Sequence, residues 1–167
     1  MLISAEVLRT HLDYSAWASK RLVDALEPLS SGELWRDFGT ADKSVVGTLV
    51  HTFAADRIWM ARVEGNVPAR FTDPAQDMHV HVLRDEWPKV YDLWKQWAAN
   101  LTGEGAHQLL TYQNLKGDSF QTPIWQVVLH VVNHGTHHRG QVAGFLRSMG
   151  HTPPVLDLIA YYRQLAM

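Results

Sequence analysis

A chain of 167 residues with 46% hydrophobic and 19% charged residues has the composition of a folded globular protein and not of a disordered one. Its formal net charge of -2 provides no basic field that would attract nucleic acid, and no apolar run reaches the roughly 20 residues of a membrane span. We therefore expect one domain over residues 1–167, with no nucleic-acid or membrane partner.

The chain contains no cysteine. This excludes disulfides, a zinc-thiolate site and a cysteine nucleophile. Together with an N-terminus that lacks the pattern of a signal peptide, it favours a cytoplasmic protein. Any thiol chemistry must therefore use a thiol that arrives with a substrate.

Four long segments have the apolar periodicity of helices and not the alternation of strands. The predicted helices run from Ser4, as N-cap, to about Leu26, from Ser44 to about Glu64, from about Val82 to Leu101, and from Pro123 to Met149. Pro88 lies inside the third of these, so that helix either starts near Glu86 or is kinked there. This pattern predicts a four-helix bundle with one longer crossover.

The connections between these helices contain the signals of turns. Residues 65–81 are predicted to form an irregular connection across one end of the bundle. Leu109–Leu115 and Ser119–Thr122 flank a Lys-Gly-Asp turn, which predicts a small β-hairpin before the fourth helix. Thr122 is then expected to be the N-cap of the fourth helix, followed by proline at the first position. A short last helix is expected from about Val155 to Gln164.

A row of histidines is the most unusual feature of the fourth helix. His130, His134 and His138 recur every four residues, so a helix places them on one face. Val127 and Val131 lie close to that face, which makes it the least polar side of the helix. Three imidazoles there predict a divalent metal site. The alternative is that each ring hydrogen-bonds a backbone carbonyl within the core.

Two pairs on this helix have the spacing of metal ligands, His130/His134 and His134/His138, and a third ligand must come from another part of the chain. The available histidines are His11, His51, His79, His81, His107 and His151. We favour His51 because it lies within a helix beside Gly47, Ala54 and Ala55, whose small side chains leave room above the ring. Three neutral imidazoles would leave a coordination position open, as in catalytic metal sites.

Three stretches of the chain resemble the DinB-like (damage-inducible) superfamily. They are His51 in its capped helix, the run His134-Gly-Thr-His137-His138-Arg-Gly-Gln141, and the later Pro153-Pro154-Val-Leu-Asp157-Leu-Ile-Ala-Tyr161. The resemblance spans nearly the whole chain. It implies an all-α four-helix bundle of up-down-down-up order, often a homodimer, with a divalent metal on His51, His134 and His138.

The resemblance changes the expected role of the remaining histidines of the fourth helix. His130 becomes either a neighbour that orients a ligand or relays a proton, or a packed ring bonded to a carbonyl. His137 is expected to point sideways. Gln141 is a further candidate for supporting a metal ligand.

Characterised members that resemble this chain include metal-dependent transferases and isomerases that use a low-molecular-weight thiol. A divalent ion, with zinc or nickel as the first candidates, would lower the pKa of a coordinated thiol and so favour attack on an electrophile. This predicts a thiol S-transferase with a small-molecule substrate. The alternatives are a hydrolase that uses metal-bound water, for which no carboxylate base has a convincing spacing, and a non-enzymatic, stress-induced metal-binding protein.

Other polar and aromatic residues have predicted structural roles. Arg139 is expected to pair with Asp157 and so to fasten the last helix. Asp56 is expected to be a surface or interhelix charge. Trp59 and Trp125 are candidates for the wall of a pocket, with core packing as the favoured role of each.

Overall fold

Four helical segments form the body of the molecule in the computed structural model, which describes residues 3–66 and 70–166. The elements are α1 (Ala5–Asp24), α2 (Ser31–Leu34), α3 (Val45–Val63), α4 (Pro74–Asp77), α5 (Val80–Asp85), α6 (Trp87–Ala99), β1 (Leu109–Gln113), β2 (Ser119–Pro123), α7 (Ile124–Ser148) and α8 (Leu158–Leu165). None of the helices in the described part of the chain is long and apolar enough to cross a membrane.

Side-chain caps fix the starts of α1 and α3, as the sequence predicts. The Ser4 hydroxyl accepts a hydrogen bond from the Glu6 amide at 3.1 Å, and the Ser44 hydroxyl accepts one from the Gly47 amide at 3.0 Å. Each bond satisfies a backbone donor that has no partner within the first turn of its helix. The predicted starts of these two helices are therefore confirmed.

The start of α7 differs from the prediction. Thr122 is not its N-cap, because Thr122 and Pro123 belong to β2 and pair with Leu110 and Leu109 of β1. The hairpin itself is confirmed, although its strands are shorter or longer by one or two residues than predicted.

The predicted third helix is divided in two. α5 and α6 are separated at Glu86, where Pro88 near the start of α6 prevents a continuous helix. The prediction of an irregular connection over residues 65–81 is wrong in part, because α4 and the first residues of α5 lie within it. Residues 67–69 of that connection lie outside the described residues. The last helix begins at Leu158 and not at Val155.

The long helices pack as a four-helix bundle of up-down-down-up order. α7 packs against both α1 and α3, and α6 packs against the same two helices from the other side. The largest fully buried apolar side chains come from all of these elements and include Leu8, Leu22, Leu49, Trp87, Trp94 and Leu146. The predicted fold class, with a hairpin before the fourth helix and a short C-terminal helix, is confirmed.

The predicted pairing of Arg139 with Asp157 is wrong. Arg139 is buried, and its Nη1 donates to the hydroxyls of Ser15 and Ser19 on α1 at 3.0 and 3.1 Å, while its Nη2 donates to Thr136 at 3.1 Å. The two serines lie one turn apart on the face of α1 that packs against α7, so both hydroxyls lie within hydrogen-bonding distance of the guanidinium. Arg139 therefore fastens α7 to α1 and not to α8.

Asp56 is an interhelix charge and not a surface one. Its side chain is 1% exposed, and it accepts a hydrogen bond at 2.8 Å from the indole nitrogen of Trp87 on α6. The backbone carbonyl of Asp56 accepts a second indole hydrogen bond, from Trp94 at 3.1 Å. Burial raises the pKa of the Asp56 carboxyl to about 6, although the bond from Trp87 acts in the opposite direction. A titratable group thus lies in the interior between α3 and α6.

Candidate metal centre

Three histidines from two helices converge on one point. His51 comes from α3, and His134 and His138 come from successive turns of α7. The Nε2 atom of His134 lies 3.2 Å from that of His51 and 3.1 Å from that of His138. The three rings present ligand atoms within 4.8 Å of one another, a spacing that suits a group able to hold a metal ion.

The opposite nitrogen of two of these rings faces an acceptor. His138 Nδ1 donates to the Gln141 side-chain oxygen at 2.7 Å, and His51 Nδ1 lies 3.4 Å from a carboxylate oxygen of Asp42. These acceptors favour a proton on each Nδ1, so the Nε2 lone pairs face the common centre. Lone pairs about 3 Å apart repel unless a proton or a metal cation lies between them. The arrangement therefore fits a divalent ion.

His134 lies between His51 and His138 in the cluster, and its pKa is strongly lowered. Burial, followed by the charges of His138 and His51, lowers its pKa to about 4, which leaves the ring neutral at pH 7. Burial likewise lowers the pKa of His138. The Nδ1 atom of His134 is buried and has no hydrogen-bond partner among the described residues. A cation on Nε2 would compensate for burying this ring.

Asp42 reaches the site because a tight loop closes over the start of α3. A Cβ atom at Gly47 would lie 2.1 Å from the backbone oxygen of Asp42, so only glycine allows the loop to approach this closely. Stacking of the Phe38 ring on Phe145, with centroids 4.2 Å apart, fastens the same loop to α7. The space that the small side chain of Gly47 leaves is thus taken by the Asp42 backbone.

A second segment covers His51 from the side of α4. The ring of Phe71 lies 5.0 Å from that of His51. Arg57 holds this segment, because it donates to both carboxylate oxygens of Asp77 at 2.9 and 2.7 Å and to the Phe71 carbonyl at 3.3 Å. Sequence reasoning missed both Asp42 and Phe71, since each lies in a connection. The placement of Gly47 one helical turn before His51 was the available signal for Asp42.

His130 lies beside the cluster and outside it. Its exposed ring is 5.9 Å from that of His134 and packs edge-on against Trp59 at 5.3 Å. His137 is exposed, as expected from its sideways direction. Trp59 borders the histidine row, whereas Trp125 packs beside the ring of His107. Of the two tryptophans, Trp59 is therefore the one placed to contact a small molecule bound at the cluster.

The remaining candidate ligands are engaged elsewhere. His11 bonds the Val7 carbonyl at 2.7 Å, His107 accepts from the Ile3 amide at 3.0 Å, and His151 bonds Glu33 at 2.7 Å. His79 and His81 stack on each other at 5.2 Å. A groove of about 590 Å³ lies between α1 and α6, but no histidine lines it. The histidine cluster, rather than this groove, is the candidate functional site.

Comparison with known proteins gives this geometry a family context. The model of the DinB family matches residues 1–165. The chain belongs to the DinB family. It is similar to Protein DinB of Bacillus subtilis (strain 168), with 23% identity over 154 residues that cover 89% of this chain and 90% of the relative.

The fold is also that of a solved DinB-like protein. The crystal structure of a DinB-like protein from Bacillus cereus ATCC 10987 superposes with a TM-score of 0.68 at 16% sequence identity. The match covers 93% of this chain and 99% of that protein. The two proteins therefore share the same helical architecture from end to end.

Proposed function

We propose that this DinB-family protein holds a divalent metal ion on the Nε2 atoms of His51, His134 and His138, and that it is a thiol S-transferase. The observation that carries the proposal is that the Nε2 atom of His134 lies 3.1–3.2 Å from those of His51 and His138, with acceptors behind two of the rings. Zinc and nickel are the first candidates, since both suit imidazole ligands.

The donor set favours a substrate at the ion over a closed structural site. Three protein ligands leave a coordination position for an incoming group. In the described part of the chain, the group that could hold a metal contains these three histidines and no carboxylate. A bound divalent ion would lower the pKa of a thiol at that position, so that the thiolate predominates at neutral pH.

The thiol has to be a small molecule, because the chain has no cysteine. In the proposed reaction its sulfur forms a bond to an electrophilic carbon, the leaving group departs with the bonding electron pair, and the thiol proton passes to solvent. The protein orients the reactants, with Phe71 and Trp59 as apolar surfaces on either side of the histidines. Asp42 lies behind His51, on its Nδ1 side, so it supports the ring and does not act as a base on the substrate.

The test is a metal-dependent transfer assay. Protein purified without a nickel column and reconstituted with zinc, nickel or cobalt is incubated with a panel of small thiols and a chromogenic aryl halide. We expect a rate above the uncatalysed reaction that requires the metal and is lost in His134→Ala. The absence of any metal-dependent rate, together with a cobalt spectrum that no thiol changes, would contradict the proposal.

A further inference from the structure

Arg62, near the end of α3, is a buried cation that forms no ion pair with the described residues. It is 9% exposed, and its Nε atom is buried with no hydrogen-bond partner in that part of the chain. No carboxylate of the described residues forms an ion pair with it. Its guanidinium instead lies over the rings of Trp59 and Tyr112, 4.6 and 5.2 Å from their centroids. Removing part of a cation from water without a counter-ion is unfavourable, so an anion beside this guanidinium would be stabilising.

Two other arginines form side-chain hydrogen bonds that Arg62 lacks, although the Nε atom of one of them, Arg139, is also buried without a partner among the described residues. Arg57, on the same helix, forms a two-pronged ion pair with Asp77. The buried Arg139 donates to three side-chain hydroxyls. Arg62 has neither kind of partner among the described residues, and burial lowers the pKa of its guanidinium. Its surroundings therefore leave hydrogen-bond donors of the guanidinium available for an anionic ligand.

The position of Arg62 connects it to the histidine cluster. It follows His51 by eleven residues, about three helical turns, which returns it to nearly the same face of α3. Helical side chains tilt toward the N-terminus of their helix, which is the direction of His51. Trp59 lies between the two ends of this path: its ring is in contact with Arg62 and with His130, the neighbour of His134. A ligand that extends from the cluster past His130 and along the Trp59 ring would therefore run toward the guanidinium.

We propose that Arg62 binds a carboxylate, or an equivalent anionic group, of the same small molecule whose thiol binds at the three-histidine centre. The inference rests on the proposed function, which supplies the thiol. It adds that the preferred thiol compound also carries an acidic group, separated from the sulfur atom by several bonds. A planar guanidinium can donate two parallel hydrogen bonds to one carboxylate. Contact with the rings of Trp59 and Tyr112 restricts the orientation of the Arg62 guanidinium.

A purely structural role for Arg62 makes a different prediction. As a cation–π clamp it would only hold β1 against α3 through Tyr112 and Trp59, and its removal would lower thermal stability without changing ligand preference. A ligand subsite changes the preference between charged and neutral ligands. The decisive readout is therefore a ratio of two affinities measured on the same protein.

The experiment compares acidic and neutral thiols of equal length. Cobalt-substituted protein is titrated with 6-mercaptohexanoate and with 6-mercaptohexanol at fixed ionic strength, and the thiolate-to-cobalt absorption band is followed; 8-mercaptooctanoate and 3-mercaptopropionate test the reach. We expect the wild type to bind a longer acidic thiol about tenfold more tightly than the neutral one, as for a hydrogen-bonded ion pair. In Arg62→Gln this preference should disappear, while the affinity for mercaptohexanol stays unchanged.

Two variants keep the result interpretable. Arg147→Gln removes the same charge from an exposed position on α7 and should retain the full preference. Arg62→Lys keeps the charge without the planar fork, so we expect a reduced but measurable preference; it replaces Arg62→Gln if the latter does not fold. If the wild type bound none of the three acidic thiols more tightly than 6-mercaptohexanol, the Arg62 subsite would be overturned and the thiol centre would stay intact.

A thiol-free arm separates failure of this inference from failure of the proposed function. If no thiol changes the cobalt spectrum, the proposed transferase is contradicted, and calorimetric titration of the metal-loaded protein with hexanoate decides the role of Arg62. Hexanoate binding that is lost in Arg62→Gln and kept in Arg147→Gln would support the subsite. No measurable binding of hexanoate to the wild type would overturn it.

Discussion

At the scale of single residues, the acceptors behind two of the three imidazoles decide which nitrogen of those rings is free to bind a metal. Gln141 and Asp42 face the Nδ1 atoms of His138 and His51, so both rings present Nε2 to the centre. Such supporting contacts fix the orientation of a ligand and raise its basicity. The centre therefore depends on residues that do not touch the ion.

We expect Asp42→Asn to weaken metal binding by about 10- to 100-fold, because the amide no longer supplies a negative charge beside His51 Nδ1. Competition with a chromophoric chelator measures the change. Asp92→Asn removes an equal charge from an exposed position on α6 and should leave the affinity unchanged. An Asp42→Asn protein that competes as well as the wild type would show that this carboxylate does not support the site.

At the scale of elements, the start of α3 and the loop before it act as one unit. Gly47 accommodates the Asp42 carbonyl, and the Phe38 ring fixes the loop on α7. The proposed metal centre thus depends on contact between three parts of the chain, namely α3, α7 and this loop. A change in the loop should therefore alter the support of the His51 ring, although none of the three histidines is replaced.

Gly47→Ala tests that coupling. Its Cβ would lie 2.1 Å from the Asp42 oxygen, so the loop must move, and we expect a loss of about 1–3 kcal/mol in unfolding free energy together with weaker metal binding. Gly144→Ala on α7 is the control. Nothing lies within 4 Å of its Cβ, and alanine should stabilise the helix by about 0.5–1 kcal/mol. Denaturant unfolding measures the unfolding free energy, and chelator competition measures the metal affinity. The coupling would be contradicted if Gly47→Ala lowered neither of them.

Periodicity accounts for the parts of the fold that the sequence predicts well. The helix starts at Ser4 and Ser44 and the break at Glu86 follow from local rules, namely side-chain capping and proline geometry. The convergence of His51 with the histidine pair also agrees with the sequence interpretation, which used the helical row and the resemblance to a family. The caps and the proline break depend on neighbours within a few residues of each other, whereas the approach of His51 to the histidine pair joins α3 to α7 and follows from no local rule.

The errors concern contacts between distant parts of the chain. Arg139 was expected to reach Asp157, but the packing of α1 on α7 brings two serine hydroxyls closer. Asp42 and Phe71 were read only as parts of connections, because their approach to His51 depends on how each loop is anchored. The sequence contains no periodic signal for such anchoring.

At the scale of the whole molecule, a buried carboxyl links stability to pH. The pKa of Asp56 is raised by burial from 3.8 to about 6, so the folded protein holds this proton more tightly than the unfolded chain does. The contribution of Asp56 to stability is therefore fully present below about pH 4 and is lost as the pH rises through about 6. A shift of this size corresponds to about 3 kcal/mol.

Asp56→Asn should remove this pH dependence, since the amide keeps an oxygen for the Trp87 hydrogen bond and carries no charge. We expect the unfolding free energy of the variant, relative to that of the wild type, to increase by up to about 3 kcal/mol between pH 4 and pH 7. Urea unfolding at a series of pH values measures the difference, in which the titration of the histidines cancels. A difference that does not change with pH would mean that Asp56 ionises normally.

Assembly and location belong to the same scale. The homodimer and the cytoplasmic location that the sequence analysis expects stay predictions.

The central claim is that His51, His134 and His138 hold one divalent ion, and metal analysis tests it most directly. Protein purified without a nickel column is equilibrated with zinc, dialysed and analysed by mass spectrometry for metal per chain, beside His134→Ala and the exposed control His137→Ala. We expect about one ion per chain in the wild type and in His137→Ala, and loss of stoichiometric metal in His134→Ala, because its Nε2 lies between the other two ligand nitrogens. Full metal content in a folded His134→Ala protein would contradict the account.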